Sequence, residues 1–427
     1  MGKIKKLNVL TISANDVNLA SGIITYDLHK GLSQKYNSQI LVRYTNKKED
    51  GIISYYPLWY NFLYRVYKKY LSKNYRVKKD PNYYYFDIDQ DKYLLNINRV
   101  KKLVNKPDII IAYFMHYFFT IKDLYKLQQL YNAPIILIMA DMVYITGGCH
   151  YAWNCKGYKN ECENCPAIID TSQKHYASDN LKLNKELISK MNISIIAGSS
   201  QDFEYIRNST LFKNKKRYLI KGIVDINIFK ERNFERNFTF NINKTNFIIL
   251  YGATKYGEKR KGVKYFVEAI KQLEIILKNK NITIISIGKG KLENIIDNTN
   301  FNIINLGFIS DYDNLADVFN LADVFVTTTI QDSGPMMVNQ SIACGTPVVC
   351  FDIGVARDIV INGETGYKSK LYDSKEIANN ICKIMDLSDK EKINIKKKCI
   401  SFAEKNFSIE VTGKLFTNII SSINNDK

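Results

Sequence analysis

No stretch of this 427-residue chain is both long and apolar enough to cross a bilayer as a helix. The longest apolar run, near Ile109 to Ile121, is short and is interrupted by His116. A basic start leads into Leu7 to Ile12, a strand-length run with no cleavage site after it. No secretion signal is expected, and the chain is expected in the cytoplasm. Its eight cysteines are then expected as thiols or metal ligands rather than disulfides. No internal repeat recurs, which excludes a solenoid or array. Acidic residues are the scarce charge, 42 against 61 Lys and Arg, for a formal net charge of +19. That excess suits anionic partners: nucleic acid, an anionic membrane face or phosphorylated small molecules. The alternative is a lysine-rich proteome bias, since Lys, Asn, Ile and Tyr are all abundant.

What is present is length and alternation. The chain is long enough for roughly two or three domains, and 46% hydrophobic residues supply their cores. Short apolar runs at Leu7–Ser13, Gln39–Tyr44, Ile109–Tyr113, Pro134–Met139 and Ile193–Ala197 read as five strands. A second series reads at Phe247–Tyr251, Ile282–Ile287, Ile303–Leu306, Val324–Thr327 and Pro347–Phe351. Helical stretches separate them, so the spacing predicts two parallel-sheet α/β domains, residues 1–221 and 222–404. The polar stretch Lys230–Thr245 is read as a loop opening the second domain, and Ile409–Ile423 as a last helix. Ile53–Asp80 interleaves Tyr, Trp and Phe with Lys and Arg. It reads either as a basic amphipathic helix on a membrane surface or as a helix with an aromatic core face and a solvated basic face.

Gln331–Gly354 is the most informative segment. Asp332, Ser333 and Gly334 suit a loop and cap, Pro335 a first helical position, Met336–Cys344 a helix ended by Gly345, and Pro347–Phe351 a buried strand. Asp332 and Gln340 bracket that helix, whose N–H groups suit a phosphate or sugar hydroxyls. In Gly252–Gly262 a strand ends, a flexible basic loop follows and a helix starts. Lys261, with Arg260 or Lys255, can neutralise two phosphates there. Gly288 and Gly290 mark a turn after the next strand, and Gly22 opens a helix after the first. His116 and Asp141 each follow a strand, at the carboxyl ends where α/β sites form. His29 is read as structural. Asp87-x-Asp89 and Asp311-x-Asp313 look like metal-binding pairs and are assigned to surface loops. Cys149, Cys155, Cys162 and Cys165 crowd one segment, and four thiolates satisfy tetrahedral zinc, with His150 a spare ligand. Buried thiols or a disulfide are the alternatives. Cys344, Cys350 and the remaining two cysteines read as core.

GTPVV at Gly345–Val349, the acid–amide pair Asp332 and Gln340, and RKG at Arg260–Gly262 together resemble the retaining glycosyltransferases of family four. The likeness covers both domains, most strongly 252–366 and 107–166. It implies the GT-B fold: two Rossmann-like doubly wound domains facing a cleft, with residues 405–427 crossing back onto the first. Lys221, Gly222 and Asp225 then fall at the interdomain linker. The family's pattern is E-x7-E; here Asp332 and Gln340 stand in those places, implying contacts to the transferred sugar and the ribose. The resemblance further assigns Lys261, with Arg260 or Lys255, to the donor diphosphate and His116 to the transferred sugar. Gly22, Gly288, Ser333 and Gly334 become donor contacts. Ser21 replaces the family's first glycine, and Ala140 replaces a histidine that precedes Asp141 in close relatives. The cysteine segment is similar to an insertion found in one subgroup.

The implied activity moves a sugar from a nucleoside-diphosphate sugar to a hydroxyl of a glycan or lipid-linked glycan, in surface polysaccharide synthesis. It needs no catalytic metal; structural zinc at the cysteines is the one cofactor expected. One rival is a nucleotide-sugar epimerase of the same fold. The other, a nucleic-acid-binding protein, needs a continuous basic face. The lysines are instead spread along the chain, so no nucleic-acid partner is expected.

Overall fold

The computed structural model describes residues 6–19, 21–57, 59–60, 63, 77–86, 90–232, 246–277, 281–296, 299–334 and 336–425. Two compact units emerge. The first comprises the chain up to Gly198, Asp202–Ile220 and everything from Thr412 on; the second comprises Ser199–Gln201 and Lys221–Val411.

The first unit is built on β1 (Asn8–Ser13), β2 (Asn37–Val42), β3 (Ile52–Ser54), β4 (Ile109–Ala112), β5 (Ile135–Met139), β6 (Ile193–Ala197) and β7 (Lys216–Leu219). All are parallel, in the order β3-β2-β1-β4-β5-β6-β7. β4, β5 and β6 are buried along their whole length, which is why they read as Ile, Leu, Met and Ala runs with a single serine. Between the strands run α1 (Gly22–Ser33), α2 (Ile97–Leu103), α3 (Ile121–Tyr131), α4 (His175–Lys190) and α5 (Ser200–Asn208). α12 (Ile409–Asn425) groups with this unit from Thr412 on, and a Cβ on its Gly413 would stand 3.2 Å from the Gly31 backbone of α1.

The second sheet holds β8 (Phe247–Lys255), β9 (Ile282–Lys289), β10 (Asn302–Gly307), β11 (Val324–Thr327), β12 (Val348–Phe351) and β13 (Gly366–Ser369), again parallel, in the order β10-β9-β8-β11-β12-β13. Its helices are α6 (Val263–Ile276), α7 (Tyr312–Leu321), α8 (Met336–Ala343), α9 (Gly354–Ile359), α10 (Ser374–Met385) and α11 (Asp389–Asn406). In each unit the order reverses at one place, beside β1 and β4 in the first and beside β8 and β11 in the second. Such switch points open a crevice at the strands' carboxyl ends.

Three strands escape a sequence reading, and all three are sheet edges: β3, β7 and β13. Edge strands are covered on fewer sides, so they admit Lys216, Arg217 and Lys368 and lose the apolar signature. Asp311 does not lie on a plain surface loop: it caps α7 by accepting from Asn314 N–H at 2.8 Å, and Asp313 pairs with Arg232 at 2.6 Å. Asp87-x-Asp89, Pro335, residues 233–245 of the expected loop and most of the basic aromatic segment fall outside the described residues. His29 is structural: it is buried, with Nδ1 2.9 Å from Ser38 Oγ.

Asp123 shows how much one buried carboxylate can organise. It completes the capping box of α3 with Thr120, and it also accepts from the N–H groups of Leu94 and Leu95 at 3.0 and 3.1 Å. Asp123→Ala strands those three backbone donors. At about 1–3 kcal/mol for each buried unsatisfied donor, the substitution is expected to lower stability by at least ~3 kcal/mol, read as a fall in the denaturation midpoint; Asp123→Asn, which keeps one acceptor, should cost less.

Candidate active site

In the second unit the basic loop exposes Lys255 and Lys259 but turns Lys261 inward. After β8 the chain makes a single helical turn at Lys259–Lys261 and reaches Gly262, which is left-handed at φ 62°. A Cβ there would stand 1.9 Å from the Thr328 carbonyl oxygen, so only glycine fits. Thr328 Oγ1 donates to the Gly262 carbonyl at 2.9 Å, and the Arg260 carbonyl accepts the Ile330 N–H at 2.8 Å. The loop is thus laced to the end of β11.

That lacing buries the charges. Asp332 Oδ2 accepts from Lys261 Nζ and from Arg260 Nη1, each at 2.6 Å. Arg260 also pairs with Glu258 at 2.8 Å. Two cations face two anions, so the cluster is neutral. Lys261 is buried, although it lies in a run of basic residues. Burial alone would raise the Asp332 carboxyl, but Lys261 and Arg260 outweigh it and hold it at about 2. Burial pushes the Lys261 ammonium down, and Asp332 opposes that fall.

Around this cluster the glycines have steric reasons. Gly288 (φ 143°) lies under the Ala253 carbonyl, where a Cβ would come to 1.8 Å, and Gly334 packs on Val355. Ser333 accepts from the Val355 N–H through its carbonyl at 3.0 Å. Lys255 is exposed at the end of β8, in register with Lys289 of β9. Gln340 does not sit at a helix end. It is the fifth residue of α8 and is buried, while Asp332 precedes the helix by four residues.

In the first unit, His116 lies in the turn after β4 and its carbonyl accepts from Arg43 Nη1 at 3.0 Å. Its ring centroid is 4.9 Å from that of His150, and His150 Nδ1 lies 2.7 Å from Asp141 Oδ2. Burial would raise the Asp141 carboxyl, yet the two imidazoles hold it below the usual range. Gly22 opens α1, but its own N–H is bonded to the Leu19 carbonyl at 2.7 Å; it is glycine because a Cβ would meet the Asp16 carbonyl oxygen at 1.8 Å. Cys149, Cys155, Cys162 and Cys165 line one cavity of about 10 Å3, room for one small species. Burial pushes the Cys149 and Cys165 thiols up, and Cys162 to about 12. Among the described residues, no three of these thiols come within 4.8 Å of one another.

Residues 232–405 match the family model for glycosyl transferases group 1. The second unit carries a group 1 glycosyl transferase domain. A curated relative, the capsular polysaccharide biosynthesis glycosyltransferase CapM of Staphylococcus aureus, is 29% identical over 135 residues. That alignment covers 30% of this chain and about a third (34%) of CapM. Solved structures share the whole architecture. Sucrose-phosphate synthase from Thermosynechococcus elongatus superposes with a TM-score of 0.66 at 15% identity, covering 99% of this chain and 100% of the other. A glycosyltransferase from Rickettsia africae gives 0.65 at 15%, covering 99% and 100%. HepE of Anabaena, in complex with UDP-glucose, gives 0.59 at 15%, covering 97% and 100%. The fold is GT-B.

In the glycosyl transferase domain, the structure brings Lys261, Arg260 and Asp332 into contact, with Ser333 and Gly334 following directly. Lys255, Gly288 and Gln340 lie on neighbouring elements without joining that ion cluster. Glu258 and Thr328 were not singled out from sequence: an acid inside a basic run and one threonine of three in a row carry no local signal. A folded carboxyl held below its unfolded value contributes stability that is present above about pH 4 and lost as pH falls toward 2. Asp332→Asn is therefore expected to destabilise the second unit by about 3–5 kcal/mol at neutral pH, since it leaves the buried Lys261 facing a neutral amide, with Glu258 the one anion for two cations. The gap from wild type should shrink as pH drops below 4, which thermal unfolding at stepped pH measures.

Proposed function

We infer that the chain is a retaining glycosyltransferase that moves a sugar from a nucleoside-diphosphate donor to a hydroxyl of a glycan or lipid-linked glycan. The observation that carries this reading is the convergence of Lys261 and Arg260 on one oxygen of Asp332, beside the switch point of the second sheet. The cations are paired before any donor arrives. A diphosphate then exchanges with Asp332 for Lys261 and Arg260, and the released carboxylate is freed to accept from hydroxyls of the transferred sugar. Charge-assisted bonds from two preorganised cations stabilise the diphosphate as it leaves. Gln340 meets the ribose with an amide instead of a carboxylate. In a front-face displacement the acceptor oxygen bonds to the anomeric carbon as the carbon–oxygen bond to the diphosphate breaks on the same side. The departing phosphate takes the acceptor's proton. The protein supplies placement rather than a strong base.

His116 is assigned to the transferred sugar. A uridine diphosphate sugar is the first donor to test, because HepE is solved with UDP-glucose; a surface polysaccharide acceptor follows from the name of CapM. We place the enzyme in the cytoplasm at the inner membrane face, with exposed Trp59 and Leu63 as contacts to anionic lipid. Zinc on Cys149, Cys155, Cys162 and Cys165 is assigned to holding the insertion together. Their shared cavity accepts one ion if the thiols draw in and ionise.

A screen of nucleotide release with several sugar nucleotides, with and without a polysaccharide acceptor, tests the reading. Release that depends on acceptor supports transfer, whereas isomerisation of donor alone indicates an epimerase. Lys261→Ala is expected to cut turnover by roughly 100- to 1,000-fold, as for loss of one preorganised charge donor. Because Lys261 is buried, the rate is measured well below the unfolding transition. Turnover within threefold of wild type overturns its role. Gln340→Glu is expected to keep activity.

A further inference from the structure

We propose that His116, Asp141 and His150 form a binding site for a zinc-class divalent cation in the first unit, separate from the cysteine cluster. Their ligand atoms all lie within 4.8 Å of one another, the single such trio of His, Cys, Asp or Glu among the described residues. Two imidazole nitrogens and one carboxylate oxygen suit zinc and its first-row neighbours, and three protein ligands leave positions open to water or a substrate hydroxyl.

The trio is held from behind, as metal ligands usually are. Asp141 directs Oδ1 to the Val143 N–H at 2.9 Å, which turns Oδ2 towards His150. The backbone of His150 is pinned twice: its N–H donates to the Tyr83 carbonyl at 3.1 Å, and its carbonyl accepts from the Met142 N–H at 3.0 Å. The Arg43 bond to the His116 carbonyl holds the third ligand. Aromatic rings wall the site. Phe114 lies 5.8 Å from His116, and Phe86 lies 6.5 Å from His150. Asp141 and His150 are buried.

Distances admit an ion with small movements. Two ligands about 2.1 Å from one ion stand roughly 3.0–3.4 Å apart. The 2.7 Å contact between His150 and Asp141 has only to open slightly, and His116 has to approach by at most an ångström or two. The ion replaces the proton now shared by His150 Nδ1 and Asp141. Charge favours it as well: Asp141 is a buried carboxylate, and a divalent ion is a counter-charge for it.

Cobalt(II) substitution of the full-length chain tests the site. Protein purified without chelators, then stripped by dialysis, is titrated with Co2+ and followed by its visible spectrum. At this site we expect one ion per chain, with d–d bands and without sulfur-to-metal charge transfer of its own. Asp141→Asn keeps the cap acceptor for Val143 and should preserve the fold, checked by circular dichroism. It and His116→Ala should each weaken binding by at least about 100-fold, more than loss of an outer partner gives. Cys162→Ser should leave this ion in place. A second ion that brings a thiolate band and disappears in Cys162→Ser belongs to the cysteine cavity and leaves the proposal standing. No Co2+ bound in a fully folded chain, or binding that Cys162→Ser abolishes and Asp141→Asn does not, overturns it.

Discussion

An all-parallel sheet has to be covered on both faces, and that constraint organises each unit of this protein. Parallel strands need crossovers, the crossovers are helices, and helices on both sides leave no solvated face. Polar chemistry has nowhere to go except the strand ends. Hence β4, β5 and β6 are uniformly buried, while His116, Asp141, Lys261 and Asp332 lie in the connections that follow strands and Lys255 is the last residue of β8. The order β2-β1-β4 in one sheet and β9-β8-β11 in the other then selects which connections have room between them.

At those ends, two clusters bury charge beside groups that offset it. Lys261, Arg260, Glu258 and Asp332 sum to zero inside the second unit, and Asp141 lies among two imidazoles in the first. A ligand entering either place meets groups already bonded, so it is recognised by exchange of partners rather than by filling a vacancy. Exchange favours ligands that replace what they take away. A diphosphate does so for a carboxylate, and a divalent cation for a shared proton. Neutral molecules of similar size do neither.

Central strands were legible because double-sided burial writes itself into sequence as short β-branched runs; Ile193–Ala197 and Val324–Thr327 match to the residue. Two edges were not, since Lys216–Leu219 and Gly366–Ser369 contain the polar residues that an edge tolerates, whereas the edge strand β10 keeps Ile303 and Ile304 and was legible. The basic loop misled for a different reason. Lys, Arg and Glu in a row usually mean solvent, and the bonds that bury them come from Thr328 and Ile330, some 70 residues away. Similarly, Gln340 was legible as a position but was read as bracketing a helix that, at Met336–Ala343, encloses it. His150 read as a spare cysteine-site ligand. Its bond to Asp141 depends on how the chain doubles back between them, which nine residues of sequence do not reveal.

The return of α12 has a consequence for how the chain is made. Residues from Thr412 on complete the first unit, with Gly413 laid against the Gly31 backbone of α1. During synthesis the first sheet emerges early, and domains ordinarily fold as they emerge. Here the helix that covers α1 is translated only after the whole second unit. Until then α1 keeps a bare flank, and its apolar residues are open to chaperones or to the wrong helix. The first unit starts folding first and finishes last.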